Sequence, residues 1–167
     1  MPDTLVLGIG NSLLSDEGVG IHVIRRVEAE LSGRETGVRI IDGGTLSFTL
    51  AGDIESAERL IVVDAAELGE APGSVRVFVD AEMDHFIGTA KRSVHEVGLM
   101  DLLDIARLTE SLPRERALVA IQPVDLTWGS ELSPSVADAL PLATEEVHRL
   151  IRDWRTETTD TRQYVNV

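Results

Sequence analysis

The chain of 167 residues contains no cysteine. That excludes disulfides, a thiol nucleophile and any thiolate metal site. A bound metal would need carboxylate and imidazole ligands instead. No apolar run approaches the roughly 18 residues that a membrane span requires. Cationic side chains are scarce, with 15 Lys and Arg against 29 Asp and Glu and a formal net charge of −14. Such a chain repels phosphate backbones, so nucleic acid is not expected as a partner. The acidity is otherwise the ordinary composition of a solvated surface, or an acidic face for a basic partner. Met1-Pro2-Asp3-Thr4 brings no basic stretch before its short apolar run. A signal peptide is therefore not expected, and the cytoplasm is the expected compartment.

Two nucleotide-binding motifs are also missing. Gly8-Ile9-Gly10-Asn11-Ser12-Leu13 has leucine where a dinucleotide fingerprint needs its last glycine. No lysine follows, as a P-loop would need. Asp16 and Glu17 already supply negative charge where a phosphate would lie at a helix start. There is no Gly-x-Ser-x-Gly elbow for a serine nucleophile either.

What is present alternates between strand and helix. Thr4 to Ile9, Val38 to Ile41, Leu60 to Val63 and Ala117 to Ile121 are short apolar runs of the buried-strand type. Val75, Val77 and Val79 alternate with Arg76 and Phe78, which predicts a strand exposed on one face at a sheet edge. Val19, Val23, Ile24, Val27 and Leu31 recur at spacings of three and four, which predicts a helix over 18–31 stopped by Gly33. Shorter helices are expected over 46–51 and 134–139, and a longer one over 96–108. Pro141 suits the first turn of a last helix with Leu142, Val147, Leu150, Ile151 and Trp154 inward. The stretch around His85 reads as irregular. The expected fold is a single-domain α/β three-layer sandwich: a mostly parallel twisted sheet with helices on both faces. Residues 1–155 form one domain, and the polar residues 156–167 read as a flexible tail.

In such a sheet the ligand crevice lies outside the carboxyl ends of the parallel strands. The segment 10–17, Asp42-Gly43-Gly44 and Asp64 all leave the sheet there. Locally, Asp16 reads as a helix cap and Glu17 as a complement to the helix dipole. Asp42 before two glycines reads locally as a turn. Asp64 directly after Leu60-Ile61-Val62-Val63 is costly to bury without a compensating group. Carboxylates gathered on one rim invite a cation. Of the histidines, His22 and His148 fall within helices and read as surface or packing residues. His95 sits at the start of a helix, where the ring is kept neutral as a metal ligand requires.

The segments GIGNSLLSDEGVG, DGGTLSFTL, LIVVDA, SVHEVGLMDLL and PVDLTWGSELSPSV follow the order and spacing of the hydrogenase maturation endopeptidases. The chain resembles that family from about Leu5 to Ile151. The resemblance implies a processing protease that removes a short C-terminal extension from a nickel–iron hydrogenase large-subunit precursor after nickel insertion. It implies metal contact by Glu17, Asp64 and His95, with nickel supplied by the substrate and zinc or cadmium as possible substitutes. It places the family's acid before the double glycine at Asp42, as a general base or a substrate-positioning group. One departure is Ser47, where the family often carries glycine.

Two carboxylates and an imidazole suit a borderline divalent ion, and three protein ligands leave positions open for substrate or water. Metal-polarised hydrolysis is the mechanism this composition best permits. Two other readings stay open at the level of sequence. One is a metallohydrolase with a resident divalent metal acting on a small molecule. The other is an interaction module whose rim carboxylates bind a cation.

Overall fold

The structure is a computed structural model that describes residues 3–33, 36–89 and 94–163, with side chains outside 94–97 and 158–163. Five strands, β1 (Thr4–Gly8), β2 (Val38–Asp42), β3 (Arg59–Ala65), β4 (Val75–Val79) and β5 (Glu115–Ile121), form one sheet in the order β2-β1-β3-β5-β4. β1 pairs in parallel with β2 and β3, and β3 in parallel with β5. β4 runs antiparallel to β5 at the edge, as its alternating sequence predicts.

β1 and β3 lie inside the sheet and are almost wholly buried, which is why they read as continuous apolar runs. Successive side chains point to opposite faces, and each face has its own core. Val6, Ile61, Val63, Val119 and Ile121 pack against α1 (Val19–Leu31) and α5 (Pro134–Gln163). Leu5, Leu7, Leu60, Val62, Leu118 and Ala120 pack against α2 (Ala51–Glu55), α3 (Ala81–Thr89) and α4 (Val94–Leu108). This is the three-layer α/β architecture expected from the sequence.

Four local expectations are corrected. The stretch around His85 is the helix α3, because Met83 and Ile87, four residues apart, are buried and anchor it. The turn after β2 is a 3-10 turn, Phe48–Leu50, followed by α2, rather than one helix over 46–51. The last two helices are one. Pro141 lies inside α5, where its missing N–H removes one backbone bond. The buried stripe Val136, Ala139, Ala143, Val147, Leu150, Ile151 and Trp154 carries the helix through that defect. Leu142 is 53% exposed rather than inward, because it stands five residues before Val147, well off the buried stripe at about 3.6 residues per turn. Finally, α5 continues past Arg155, so the helix extends to Gln163 into the stretch expected as a tail. Residues 164–167 lie outside the described residues.

Charged groups organise the amino-terminal rim of the sheet. Arg59 and Glu115 are direct neighbours in the β3–β5 register, and Arg59 Nε donates to the Glu115 carboxylate. Asp84 of α3 accepts a bidentate pair from Arg116 of β5, at 3.0 Å from Nε and 2.6 Å from the terminal nitrogen. Arg107 of α4 reaches the same carboxylate at 3.2 Å. Hydrogen bonding from Arg116, against the opposing effect of burial, holds the Asp84 carboxyl below the ordinary aspartate value.

A lowered folded pKa means stability that is present above the unfolded value, about 3.9, and lost as pH falls through the lower folded value. Asp84→Asn is therefore expected to cost about 1.5–3 kcal/mol at pH 7, since it breaks a charge-assisted bidentate contact. The difference from wild type should shrink below about pH 4. Urea unfolding of both proteins at pH 7 and pH 3.5 checks this; a difference independent of pH would contradict it.

Candidate functional site

The strand register brings the candidate acids to one rim. Asp42 of β2 lies opposite Gly8 of β1, and Gly8 lies opposite Val63 of β3, one residue before Asp64. The two acids nevertheless leave the sheet on different faces. Asp64 shares its parity with Leu60 and Val62, which pack under α2, α3 and α4. It is 4% exposed. Asp42 shares its parity with Ile40, which packs on the α1 side. It is exposed, and its carboxylate stands 4.0 Å from Arg25 of α1. Its Oδ1 accepts from the Gly44 backbone N–H at 2.9 Å, the geometry of an Asx turn.

Glu17 comes to the rim on the 3-10 turn Ser15–Gly18, between β1 and α1. The glycine loop before it closes onto this turn instead of forming an open cradle. Gly10 has φ +139°, and a Cβ there would stand 1.9 Å from the Glu17 carbonyl oxygen. Only glycine tolerates both conditions. Gly20 lets α1 sit directly on the rim, since a Cβ there would meet the carbonyl oxygens of Val63 and Ile9 at 2.3 and 2.4 Å. Glu17 is partly buried.

His95 is the second residue of α4, and its side chain lies outside the described residues. The backbone places the start of α4 at the same rim. Gly98 faces Leu46 of the double-glycine loop, and a Cβ on Gly98 would stand 3.3 Å from Leu46 Cδ1. α4 covers the sheet face onto which Asp64 projects. Among the described residues, no group of three or more His, Asp or Glu side chains is close enough to hold a metal ion. Ser47 is in extended conformation, φ −153° and ψ 161°, and its hydroxyl accepts from Thr49 N–H at 3.2 Å to cap the next turn. Such extended backbone does not call for glycine. His148 bridges α5 to Glu30 of α1 at 2.8 Å, the packing role expected of it. His22 lies on α1, where burial and then the nearby Arg25 lower its pKa.

Asp16 differs from expectation. It does not cap α1, whose N-cap is Gly18 with no side-chain capping bond. It is fully buried and binds a loop more than a hundred residues away. Its Oδ2 accepts from Val124 N at 3.0 Å, Asp125 N at 2.8 Å and Ser133 Oγ at 2.8 Å, and its Oδ1 from Ser133 N at 2.8 Å. Burial acts to raise its pKa; the backbone bonds from Asp125, Val124 and Ser133, with the Ser133 hydroxyl, outweigh it and hold the carboxyl below the ordinary value. Ser15 adds a hydroxyl bond of 2.7 Å to the Thr127 carbonyl, and Ser15 N donates to Gly129 O at 2.9 Å. Nothing in the local sequence around Asp16 separates this role from a helix cap.

Gln122, at the carboxyl end of β5, is a second residue that no sequence motif singles out. It is 5% exposed. Its Oε1 accepts from Leu68 N at 2.7 Å, and its amide donates to Glu67 and to the Pro123 carbonyl at 3.2 and 3.1 Å. It ties the segment after β3 to the rim that carries Asp64.

Asp16→Asn tests the loop tie. An amide has one accepting oxygen, and its NH2 would face donors. The substitution is expected to cost about 2–4 kcal/mol and to raise amide hydrogen exchange selectively in 123–133. A loss of stability with unchanged exchange in that loop would contradict the assignment.

Comparison with known proteins agrees with this geometry. A family model described as hydrogenase maturation protease matches residues 21–150. The hydrogenase expression/formation protein HupD of Rhodobacter capsulatus is 39% identical over 156 residues, covering 93% of this chain and 74% of that protein. The hydrogenase 2 maturation protease of Escherichia coli K12 is 35% identical over 150 residues, covering 89% and 90%. Among solved structures, the hydrogenase maturating endopeptidase HybD from E. coli superposes with a TM-score of 0.82 at 33% identity, covering 90% of this chain and 93% of that one. The maturation protease HybD from Thermococcus kodakarensis gives 0.76 at 28% identity, covering 89% and 98%. The five-stranded sheet, its helical layers and these relatives together lead to one conclusion: the chain belongs to the hydrogenase maturation protease family and is a peptidase.

Proposed function

We propose that this protein is the endopeptidase that removes the C-terminal extension of a nickel–iron hydrogenase large-subunit precursor, and that it recognises the precursor through its inserted nickel. The observation that carries the reading is the position of Asp64. It is a carboxylate 4% exposed at the end of a buried strand, on the sheet face covered by α2, α3 and α4, the last of which has His95 as its second residue. Glu17 reaches the same rim on its 3-10 turn. Burying an acid at this rim is costly unless a cation or hydrogen bonds compensate it.

Nickel belongs to the substrate in this reading. Glu17, Asp64 and His95 come from separate segments of the chain, without a short ligand-rich motif. Such a donor set suits an ion presented by a partner better than one held permanently. Zinc or cadmium would occupy the same donors as substitutes. Engaging the partner's ion holds the protease against the adjacent extension and raises the effective concentration of the scissile bond. Hydrolysis then adds water across the peptide bond: its hydroxyl joins the carbonyl carbon, the C–N bond breaks, and a proton passes to the leaving amine. Asp42 faces α1 and shapes the Asp-Gly-Gly turn. Its part in the reaction is to position that loop.

The cytoplasm is the proposed site of action, and no described helix is long and apolar enough to cross a membrane. Residues 1–155 are proposed as the catalytic unit.

Three measurements test the reading. Nickel-loaded precursor should be cut, and nickel-free precursor should remain uncut under excess protease, both read by mass. Efficient cutting of nickel-free precursor by protein carrying its own zinc would contradict substrate-borne nickel and favour a resident metal. His95→Ala and Glu17→Gln should lower the rate at least about a hundredfold while the melting temperature stays within a few degrees. Asp42→Asn retains an accepting oxygen for Gly44 N–H and should keep the rate within about threefold; a hundredfold loss would make the Asp42 charge part of the chemistry.

A further inference from the structure

Large apolar side chains are exposed on the two loops that Asp16 joins. Leu13 is 56% exposed, Val124 60%, Leu126 53% and Trp128 80%. Leu13 lies in the glycine loop, and the other three lie in the segment between β5 and α5. The loops are stitched by backbone pairing: Gly129 N donates to Leu13 O at 2.9 Å, and Leu14 and Gly129 form an isolated parallel bridge. Asp16 holds Val124, Asp125 and Ser133, and Ser15 holds Thr127. Asp125 accepts from both the backbone and the hydroxyl of Thr127, at 2.9 and 2.6 Å, which fixes the turn leading to Trp128. These side chains therefore stand in the open on backbone that is tied down from below.

Exposure of one apolar residue is ordinary, but several on adjoining loops mark an interaction site. Tryptophan on a preorganised loop loses little freedom on binding and is enriched among the residues that carry interface energy. The patch is continuous with the candidate site, because Leu13 and Asp16 belong to the same loop as Glu17. Asp125 and the exposed Glu131 edge it with negative charge.

We propose that Leu13, Val124, Leu126 and Trp128 form the docking face for the folded body of the precursor, which presents an apolar surface edged by basic groups. This rests on the protease reading above. The donors at the rim address one ion and one bond, which is little surface to select a whole protein. A stable protein contact buries about 800 Å² on each partner, so selection needs a face beside the reacting centre. The loops next to Glu17 supply one. Because Asp16 holds both loops and neighbours Glu17 in sequence, docking on this face and presentation of Glu17 share one support.

The test compares wild type, the double variant Leu126→Ser/Trp128→Ser, Trp128→Phe, and Leu108→Ser. Leu108 is 86% exposed at the end of α4, on the opposite rim, and serves as a matched control. Nickel-loaded precursor is the probe, with binding followed by interferometry and cleavage by mass. The double variant should lose at least about tenfold in kcat/KM, carried mainly by KM, and at least about tenfold in affinity. Trp128→Phe should recover most of both, Leu108→Ser should match wild type, and all four should melt alike. Wild-type cleavage with unchanged affinity in the double variant would overturn the docking face and leave the protease reading standing. A wild-type protein that neither binds nor cuts the precursor would overturn both. A wild-type dimer in sedimentation that the double variant dissociates, with precursor binding unchanged, would assign the face to a second copy and overturn the proposal.

Discussion

The buried carboxylate of Asp16 is the constraint on which the carboxyl rim depends. A fully buried aspartate is costly to keep charged, and its cost is offset by three backbone N–H groups and one hydroxyl. All of these donors come from the segment between β5 and α5, and the acceptor comes from the turn between β1 and α1. This side chain, with the backbone pairing of Leu13 and Ser15 to Gly129, therefore sets how two loops from distant parts of the chain lie against each other. Glu17 follows Asp16 directly, so its presentation at the rim inherits that geometry.

The glycines act toward the same end from the backbone side. Gly10 lets the loop turn back onto the Glu17 carbonyl, and Gly20 lets α1 approach Val63 and Ile9. Together they replace the open phosphate cradle of a nucleotide-binding fold with a closed, self-packed turn that carries acids. The same strand–loop–helix unit thus serves opposite electrostatic purposes. With backbone N–H groups left open it receives anions; here the turn carries carboxylates of its own, and that of Asp16 takes up the N–H groups of a distant loop. In a chain of net charge −14, this is the sign the whole surface already favours.

The parity of the strands adds a second level of organisation. Asp42 and Asp64 reach the same rim, but on opposite faces of the sheet. Asp42 accordingly belongs to the α1 side with Arg25, while Asp64 lies on the face that packs α2, α3 and α4. Two acids that look equivalent as strand-terminal residues are given different neighbours by a single position in the pleat.

Periodicity alone determined the strands, the helices α1 and α4, and the mostly parallel sheet, because buried faces repeat with the period of the backbone that carries them. It also directed the segments carrying Glu17, Asp42 and Asp64 to the carboxyl rim, since parallel strands all end there, whereas His95 was singled out by its place at a helix start and by the family resemblance. It failed where long-range packing outweighs local preference. The helix α3 is anchored by the buried Met83 and Ile87 and by the long-range Asp84–Arg116 pair, and α5 runs through Pro141 because its apolar stripe stays buried on both sides of the defect. The tertiary structure alone decided that Asp16 is a loop tie rather than a cap, that Gln122 holds the segment after β3, and that Trp128 stands on a fixed loop. Each of these depends on donors or acceptors that are distant in sequence, as Asp16 and Ser133 are, 117 residues apart. No local pattern encodes such a pairing; it exists only once the sheet has brought both chain segments to the same rim.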